Sequence, residues 1–217
     1  MKIQNPTLLV TIGPTQEPLD AMRLISNRST GNLGTLLALQ LIDSGHSVIA
    51  LRGVGSTADA SELMEKCEML IPFGNTADLK SALENLSEEQ LPITEVFHAA
   101  AVSDFFLPFA GTGKIPTSEG MLTITLEPTP KLLPLLRGWF PSARITGWKF
   151  EASGDRESAL AAGITQLRQC DTDACVVNGP SYGEGFGVLS KSGQFTHLAD
   201  RETLCAHLAE SLPNHSE

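Results

Sequence analysis

The sequence predicts an α/β sandwich of three layers with a mostly parallel central sheet, on three observations. Short β-branched runs alternate with longer stretches of helical period, the order that builds a parallel sheet with covering helices. Glycine and proline punctuate the ends of several of these runs. Apolar residues make up 41% of the 217-residue chain and charged residues 18%, which allows one sizeable core.

Leu8-Leu9-Val10-Thr11-Ile12 reads as the first strand, stopped by the turn signal Gly13-Pro14-Thr15. Over residues 33–44, Leu33, Leu36, Leu37, Leu41 and Ile42 recur near helical spacing, and Gly45 breaks the helix. Residues 46–51 form the second strand and residues 67–71 the third. Residues 76–86 form a helix opened by a Thr76 cap with Asp78 in its first turn. Residues 96–102 are a strand of small residues, whose low bulk lets something approach its carboxyl end. Residues 103–122 lack helical period and carry Pro108, Gly111, Gly113, Pro116 and Gly120, which marks an excursion or flap. Pro130 is placed to open a helix reaching Arg137. Then come a strand at 144–148, a helix at 158–168, a core strand at 174–178, a hairpin around Lys191-Ser192-Gly193 and a closing helix at 201–212. The expectation is one Rossmann-like domain over residues 1–217, with the flap at about 103–122 following the alanine-rich strand.

Acidic residues outnumber basic ones, 25 to 15, for a net charge of −10, a poor balance for holding nucleic acid non-specifically. Small anionic substrates remain compatible, because a local pocket of backbone N–H groups outweighs the global field. No apolar run approaches the roughly 18 residues that span a bilayer, and no signal peptide opens the chain. Cys67, Cys170, Cys175 and Cys205 show neither CxxC nor metal spacing and read as reduced, buried thiols. A cytoplasmic enzyme is expected.

In an open parallel sheet the ligand crevice lies beyond the carboxyl ends of the strands. Residues 13–20, 23–34, 103–114 and 178–187 fall there. The strongest local signal is Ser26-Asn27-Arg28-Ser29-Thr30-Gly31-Asn32-Leu33-Gly34, just ahead of the first helix. It reads either as an anion site at a helix N-terminus or as an ordinary Ser/Thr cap. Neither G-x-G-x-x-G nor a Walker A loop occurs. Lys114, set among glycines and prolines, is either a mobile phosphate clamp or solvated surface. Asp104 is either a turn residue or a ligand to substrate or Mg²⁺. No histidine has the partners of a hydrolase triad, and His98 reads as a core residue.

Thr11-Ile12-Gly13-Pro14-Thr15-Gln16-Glu17-Pro18-Leu19-Asp20 and Arg23-Leu24-Ile25-Ser26-Asn27-Arg28-Ser29-Thr30-Gly31 resemble the T-x-G-G-T-x-E-P-[IL]-D…R-x-[IL]-[ST]-N-x-S-S-G signature of phosphopantothenoylcysteine synthetases. Ala99-Ala100-Ala101-Val102-Ser103-Asp104 is similar to that family's A-A-A-V-[AS]-D, and Lys114-Ile115 stands where its flap K-I falls. Thr129-Pro130-Lys131-Leu132-Leu133, Trp148-Lys149-Phe150-Glu151 and residues 173–178 continue the match, in order, to about residue 190.

The resemblance implies a Rossmann-like ligase that joins 4′-phosphopantothenate to L-cysteine through an acyl-nucleotidylate, with release of pyrophosphate. It implies ATP or CTP as co-substrate, Mg²⁺ on the triphosphate with no protein ligand identified, and a homodimer. Carried over by position, Asn27 contacts the activated acyl group, Lys114 the nucleotide phosphates, and Arg23 supports the Asn27 loop or the substrate. Ser29, Thr30 and Gly31 hold phosphate, and Gly13 and Thr15 of the first loop belong to the substrate- and nucleotide-binding set. Ala100 and Ala101 leave room for substrate, Trp148 packs near the nucleotide, and Asp104 and Asn178 border it. Pro14 stands where the family has a second glycine, and only Lys114 remains of its K-I-K-K flap. The eukaryote-like segments lean towards ATP, whereas a bacterial-type enzyme takes CTP. Two rival readings are an NADP(H)-binding reductase, with Arg52 at a strand end as the 2′-phosphate reader, and a catalytically silent homologue serving as a binding subunit.

Overall fold

The computed structural model describes residues 5–109, 113–116 and 120–212; Gly111 of the flap lies outside them. In chain order the strands are β1 (Thr7–Ile12), β2 (Gln16–Pro18), β3 (Leu24–Ser26), β4 (Ser47–Gly53), β5 (Met69–Phe73), β6 (Ile93–His98), β7 (Phe105–Phe106), β8 (Glu127–Pro128), β9 (Arg144–Phe150), β10 (Ala174–Asn178), β11 (Phe186–Ser190) and β12 (Phe195–Leu198). The helices are α1 (Asn32–Asp43), α2 (Ser61–Lys66), α3 (Thr76–Glu88), α4 (Leu136–Trp139), α5 (Arg156–Gln169) and α6 (Arg201–Glu210).

Eight strands form the main sheet in the order β12-β11-β10-β9-β6-β1-β4-β5. From β10 to β5 every neighbouring pair is parallel, and β11 and β12 add an antiparallel hairpin at one end. β5, which contains Pro72, forms the other edge. Alternation along β1 sets the layers. Leu8, Val10 and Ile12 pack with Leu37, Leu41, Leu204 and Leu208 of α1 and α6, whereas Leu9 packs with Leu79 and Leu83 of α3 and Leu136 of α4. β1 is buried throughout because helices cover both of its faces. The result is the expected α/β sandwich.

Several element assignments need correction. The cap of α3 is Asn75 rather than Thr76: the Asn75 side chain accepts from the Asp78 amide (2.9 Å) and the Asp78 carboxylate accepts from the Asn75 amide (3.1 Å). Thr76 is the first residue inside the helix, and its hydroxyl donates to Glu17 Oε1 at 2.6 Å. The alanine-rich strand ends at His98, not at residue 102. There the Ala100 amide bonds to the Thr11 hydroxyl (3.1 Å) instead of a neighbouring strand's carbonyl, and Ala101 keeps only an isolated parallel bridge to Pro14. No helix starts at Pro130. Turning begins instead with a 3₁₀ turn at Leu133–Leu135 that has Pro134 near its start, while Thr129 is buried with its amide bonded to the Asp104 carbonyl (3.0 Å). The short α2 and the β2–β3 and β7–β8 pairs carry too few residues for any period to mark them.

Candidate active site

The strand order reverses between β1 and β6, so the crevice opens beyond their carboxyl ends. There the chain after β1 is stitched to the chain after β6. Ala101 N–H donates to the Gly13 carbonyl (2.9 Å), Thr15 N–H to the Ala101 carbonyl (3.2 Å) and Ser103 N–H to the Thr15 hydroxyl (2.8 Å). The residues flanking Pro14 make the ladder bonds, so the missing N–H at Pro14 costs this pairing nothing. Thr15 is fully buried and its hydroxyl is engaged, which makes it part of the floor. Gly13 has φ +81°, and a Cβ there would lie 1.8 Å from Ser56 Oγ. Gly31, at φ +79°, would meet the same oxygen at 2.9 Å, and Gly34 would crowd Ile12 at 3.1 Å. Glycine at these positions brings α1 down onto β1.

The β2–β3 hairpin rises from this floor. Ser26 Oγ donates to the Thr15 carbonyl (2.8 Å), and buried Glu17 accepts from Thr76 N (2.9 Å). In the turn between the two strands, Asp20 takes the amides of Met22 and Arg23 on Oδ1 (both 2.8 Å). Its Oδ2 takes Arg23 Nε (3.0 Å) and Arg23 Nη2. That oxygen also takes the amide of Ile115 from the flap (3.0 Å), and Arg23 Nη2 donates to the Ile115 carbonyl (3.0 Å). The guanidinium and these amides hold the Asp20 carboxyl well below the usual carboxylate range. Lys114, immediately before Ile115, is exposed and makes no ion pair among the described residues.

Asn27, just past β3, is exposed and donates Nδ2 to the Val102 carbonyl (2.9 Å), which ties it to the chain leaving β6. The three residues of β3 separate it from Arg23, about 13 Å at ~3.3 Å per residue. Ser29 is half-buried and Thr30 exposed ahead of α1. α1 starts at Gly31 with no side-chain cap bond and no acidic residue in its first turn. Asn32 N–H reaches Thr30 Oγ1 at 3.3 Å. An uncapped start without acidic neighbours leaves the positive end of the helix available to an anion. Of the two readings of this motif, the side-chain cap is not the one formed.

Two residues beyond Val102, Asp104 is exposed and paired with Lys131, which the sequence argument had not singled out. Ala100 and Ala101 are half-buried. Trp148, in β9, packs partly against the α1–α6 core, and its indole N–H is enclosed without a hydrogen-bond partner among the described residues. Asn178 ends β10, where its carbonyl accepts from Glu151 N–H (2.9 Å). Arg52 donates to the carbonyls of Ser56 (3.2 Å) and Ala58 (2.7 Å), so its Nη2 fastens a loop rather than facing a ligand. His98 is buried and bonded to Thr11 Oγ1 through Nδ1 (3.0 Å), and burial pushes its pKa down to about 4. Sequence reasoning missed Asp20, Lys131 and Ser56 as contributors. An acid three residues before Arg23 was the one local signal available for Asp20.

Among the described residues no group of three or more His, Cys, Asp or Glu could hold a metal ion, and no helix is long and apolar enough to cross a membrane. The four cysteines are unbridged.

Fold and crevice define an open α/β protein with a strand-order switch point between β1 and β6 and a helix start without a side-chain cap bond ahead of α1. The family model described as the DNA/pantothenate metabolism flavoprotein C-terminal domain matches residues 3–208, and the chain belongs to that family. It is 28% identical over 177 residues to the coenzyme A biosynthesis bifunctional protein CoaBC of Thermococcus kodakarensis, covering 81% of this chain and 42% of that protein. It is also 28% identical over 216 residues to phosphopantothenate–cysteine ligase 2 of Oryza sativa subsp. japonica, covering 78% of this chain and 66% of that protein. The chain thus spans less than two thirds of both relatives. Its fold is that of the DNA/pantothenate metabolism flavoprotein from Streptococcus pneumoniae, with TM-score 0.79 at 19% identity over 95% of this chain and 97% of the other.

Proposed function

We propose that this chain joins 4′-phosphopantothenate to L-cysteine in coenzyme A synthesis, using the magnesium complex of ATP or CTP. A carboxylate is a poor electrophile, so the phosphopantothenate carboxylate first attacks the α-phosphorus and pyrophosphate leaves. The cysteine amine then attacks the acyl carbon of the acyl-nucleotidylate, and the nucleoside monophosphate leaves. The observation that carries this reading is the union of flap and hairpin: Arg23 and Asp20 grip Ile115, the residue after Lys114, from the turn that leads into the strand before Asn27.

Lys114 and the first-turn amides of α1, with Ser29, Thr30 and Gly31, face the triphosphate and stabilise charge that develops as pyrophosphate departs. The Asn27 amide orients the acyl group, and Arg23 holds the turn that positions it. Gly13, Thr15, Ala100 and Ala101 shape the floor, while Asp104, Trp148 and Asn178 border the nucleotide. Magnesium arrives on the triphosphate of the nucleotide. Met22, Leu24, Phe105, Phe109, Met121 and Leu122 are exposed on the hairpin and the excursion, which pack together through β2 and β7. A homodimer that buries this apolar surface completes the reading, and unbridged thiols suit a reducing cytoplasm.

Pyrophosphate release is the test, measured with phosphopantothenate, cysteine, Mg²⁺ and either ATP or CTP. Release that requires both phosphopantothenate and one nucleotide supports the ligase and identifies the nucleotide. Without release from either nucleotide the ligase reading fails, and the silent binding subunit stands.

A further inference from the structure

The Asp20 carboxylate contacts no reacting group in the scheme above, yet five donors converge on it: the amides of Met22, Arg23 and Ile115, and two nitrogens of the Arg23 guanidinium. That fills the roughly four lone-pair sites a carboxylate offers. The two oxygens divide the work. Oδ1 serves only its own turn, through Met22 and Arg23 (both 2.8 Å). Oδ2 faces outward from the turn and joins the Arg23 side chain to a flap residue 95 positions away (3.0 Å).

The flap is held on both sides of Lys114. Ile115 is fixed through its amide by Asp20 and through its carbonyl by Arg23 (3.0 Å), and the Gly113 carbonyl accepts a longer bond from Ala21 (3.4 Å). The Asp20 side chain is fully enclosed. Loss of the Oδ2 acceptor would free the Ile115 amide and the Arg23 guanidinium from their shared anchor and leave the single bond from Arg23 Nη2 to the Ile115 carbonyl to hold the flap.

We propose that Asp20 is a positioning residue, a latch that sets the backbone around Lys114 against the hairpin bearing Arg23 and Asn27. This rests on the ligase reading for its kinetic consequence but not for its structural one. Asp20→Asn separates the two roles of the carboxylate, since the amide oxygen still serves the Met22 and Arg23 amides while the NH₂ group cannot accept from Arg23 or Ile115.

The experiment combines hydrogen exchange with pyrophosphate release in Asp20→Asn, Lys114→Ala and the double variant. In the wild type the Ile115 amide should exchange at least 10-fold more slowly than in Asp20→Asn, measured where urea titration shows both proteins folded. Loss of a charge-assisted anchor should slow nucleotide-dependent pyrophosphate release about 10- to 100-fold and leave the KM for cysteine unchanged. In the Lys114→Ala background the same change should cost less than about 2-fold, because the latch then has nothing to position. Full losses that multiply in the double variant would overturn the proposal, as would an Ile115 amide that exchanges freely in the wild type. That last measurement needs neither turnover nor a folded variant, so it decides the latch even where the ligase reading itself fails.

Discussion

Gly13→Ala probes how closely the crevice floor is built. At φ +81° an L-residue costs about 1–2 kcal/mol relative to glycine. The new methyl would also lie 1.8 Å from Ser56 Oγ and 3.1 Å from Ser56 Cβ, so the Ser56 hydroxyl must swing away and its Cβ yield by a few tenths of an ångström. Overpacking of that kind adds about 1–3 kcal/mol, for a total of about 2–5 kcal/mol. In a Ser56→Gly background the nearest remaining atom is the residue 56 Cα, at an ordinary 3.7 Å. Only the conformational cost should then remain, which gives a coupling of about 1–3 kcal/mol between the two positions. Urea unfolding of the wild type, both single variants and the double variant measures it. An equal cost for Gly13→Ala in both backgrounds would refute the reasoning.

Lys114→Ala should slow acyl-nucleotidylate formation about 100-fold and shift stability by less than about 0.5 kcal/mol, because the side chain is exposed; unchanged pyrophosphate release removes the lysine from the mechanism. Asn27→Asp replaces the donor facing the Val102 carbonyl with an acceptor, so transfer to cysteine should stall while pyrophosphate release continues, as product chromatography would reveal; a wild-type product yield shows that the amide has no role. Burial pushes Glu95 up to about 7 from 4.5 and His98 down to about 4 from 6.5. Folding therefore favours the protonated Glu95, whose contribution to stability falls as pH rises from about 4.5 to 7, whereas neutral His98 contributes stability that rises with pH from about 4 to 6.5. At roughly 1.4 kcal/mol per pH unit each, the two slopes oppose one another across their shared interval. Glu95→Gln should expose the His98 slope alone in urea unfolding between pH 5 and 6.5, and a profile that overlays the wild type's contradicts this.

The main sheet was legible because its inner strands are near-continuous apolar runs, and α1, α3, α5 and α6 carry enough turns for period or caps to show. Where one side chain decides the outcome, the sequence misleads. Thr76 looks like a cap, yet Asn75 takes that place and Thr76, one residue inside the helix, turns its hydroxyl to Glu17, 59 positions away. Ala99 to Val102 looks like strand until Thr11 captures the Ala100 amide. The site divides in the same way. The rim segments after β1, β3 and β6 could be located by the switch-point rule and by their motif. The grip of Asp20 and Arg23 on Ile115 and the pairing of Asp104 with Lys131 are contacts across the fold that no local pattern encodes.

Pro72 has a consequence for the molecule among its own copies. The outermost strand of an open sheet offers unpaired amides and carbonyls to any extended chain that drifts alongside, the route by which sheets grow from one molecule into the next. Proline in such a strand must turn its nitrogen towards solvent, where it has no hydrogen to donate. β5 therefore presents a broken row exactly where a stranger would begin to pair, and at the far side the four residues of β12 offer only a short template. The eight-stranded sheet thus offers a poor template for growth at both margins, a prolyl ring at one and a short strand at the other.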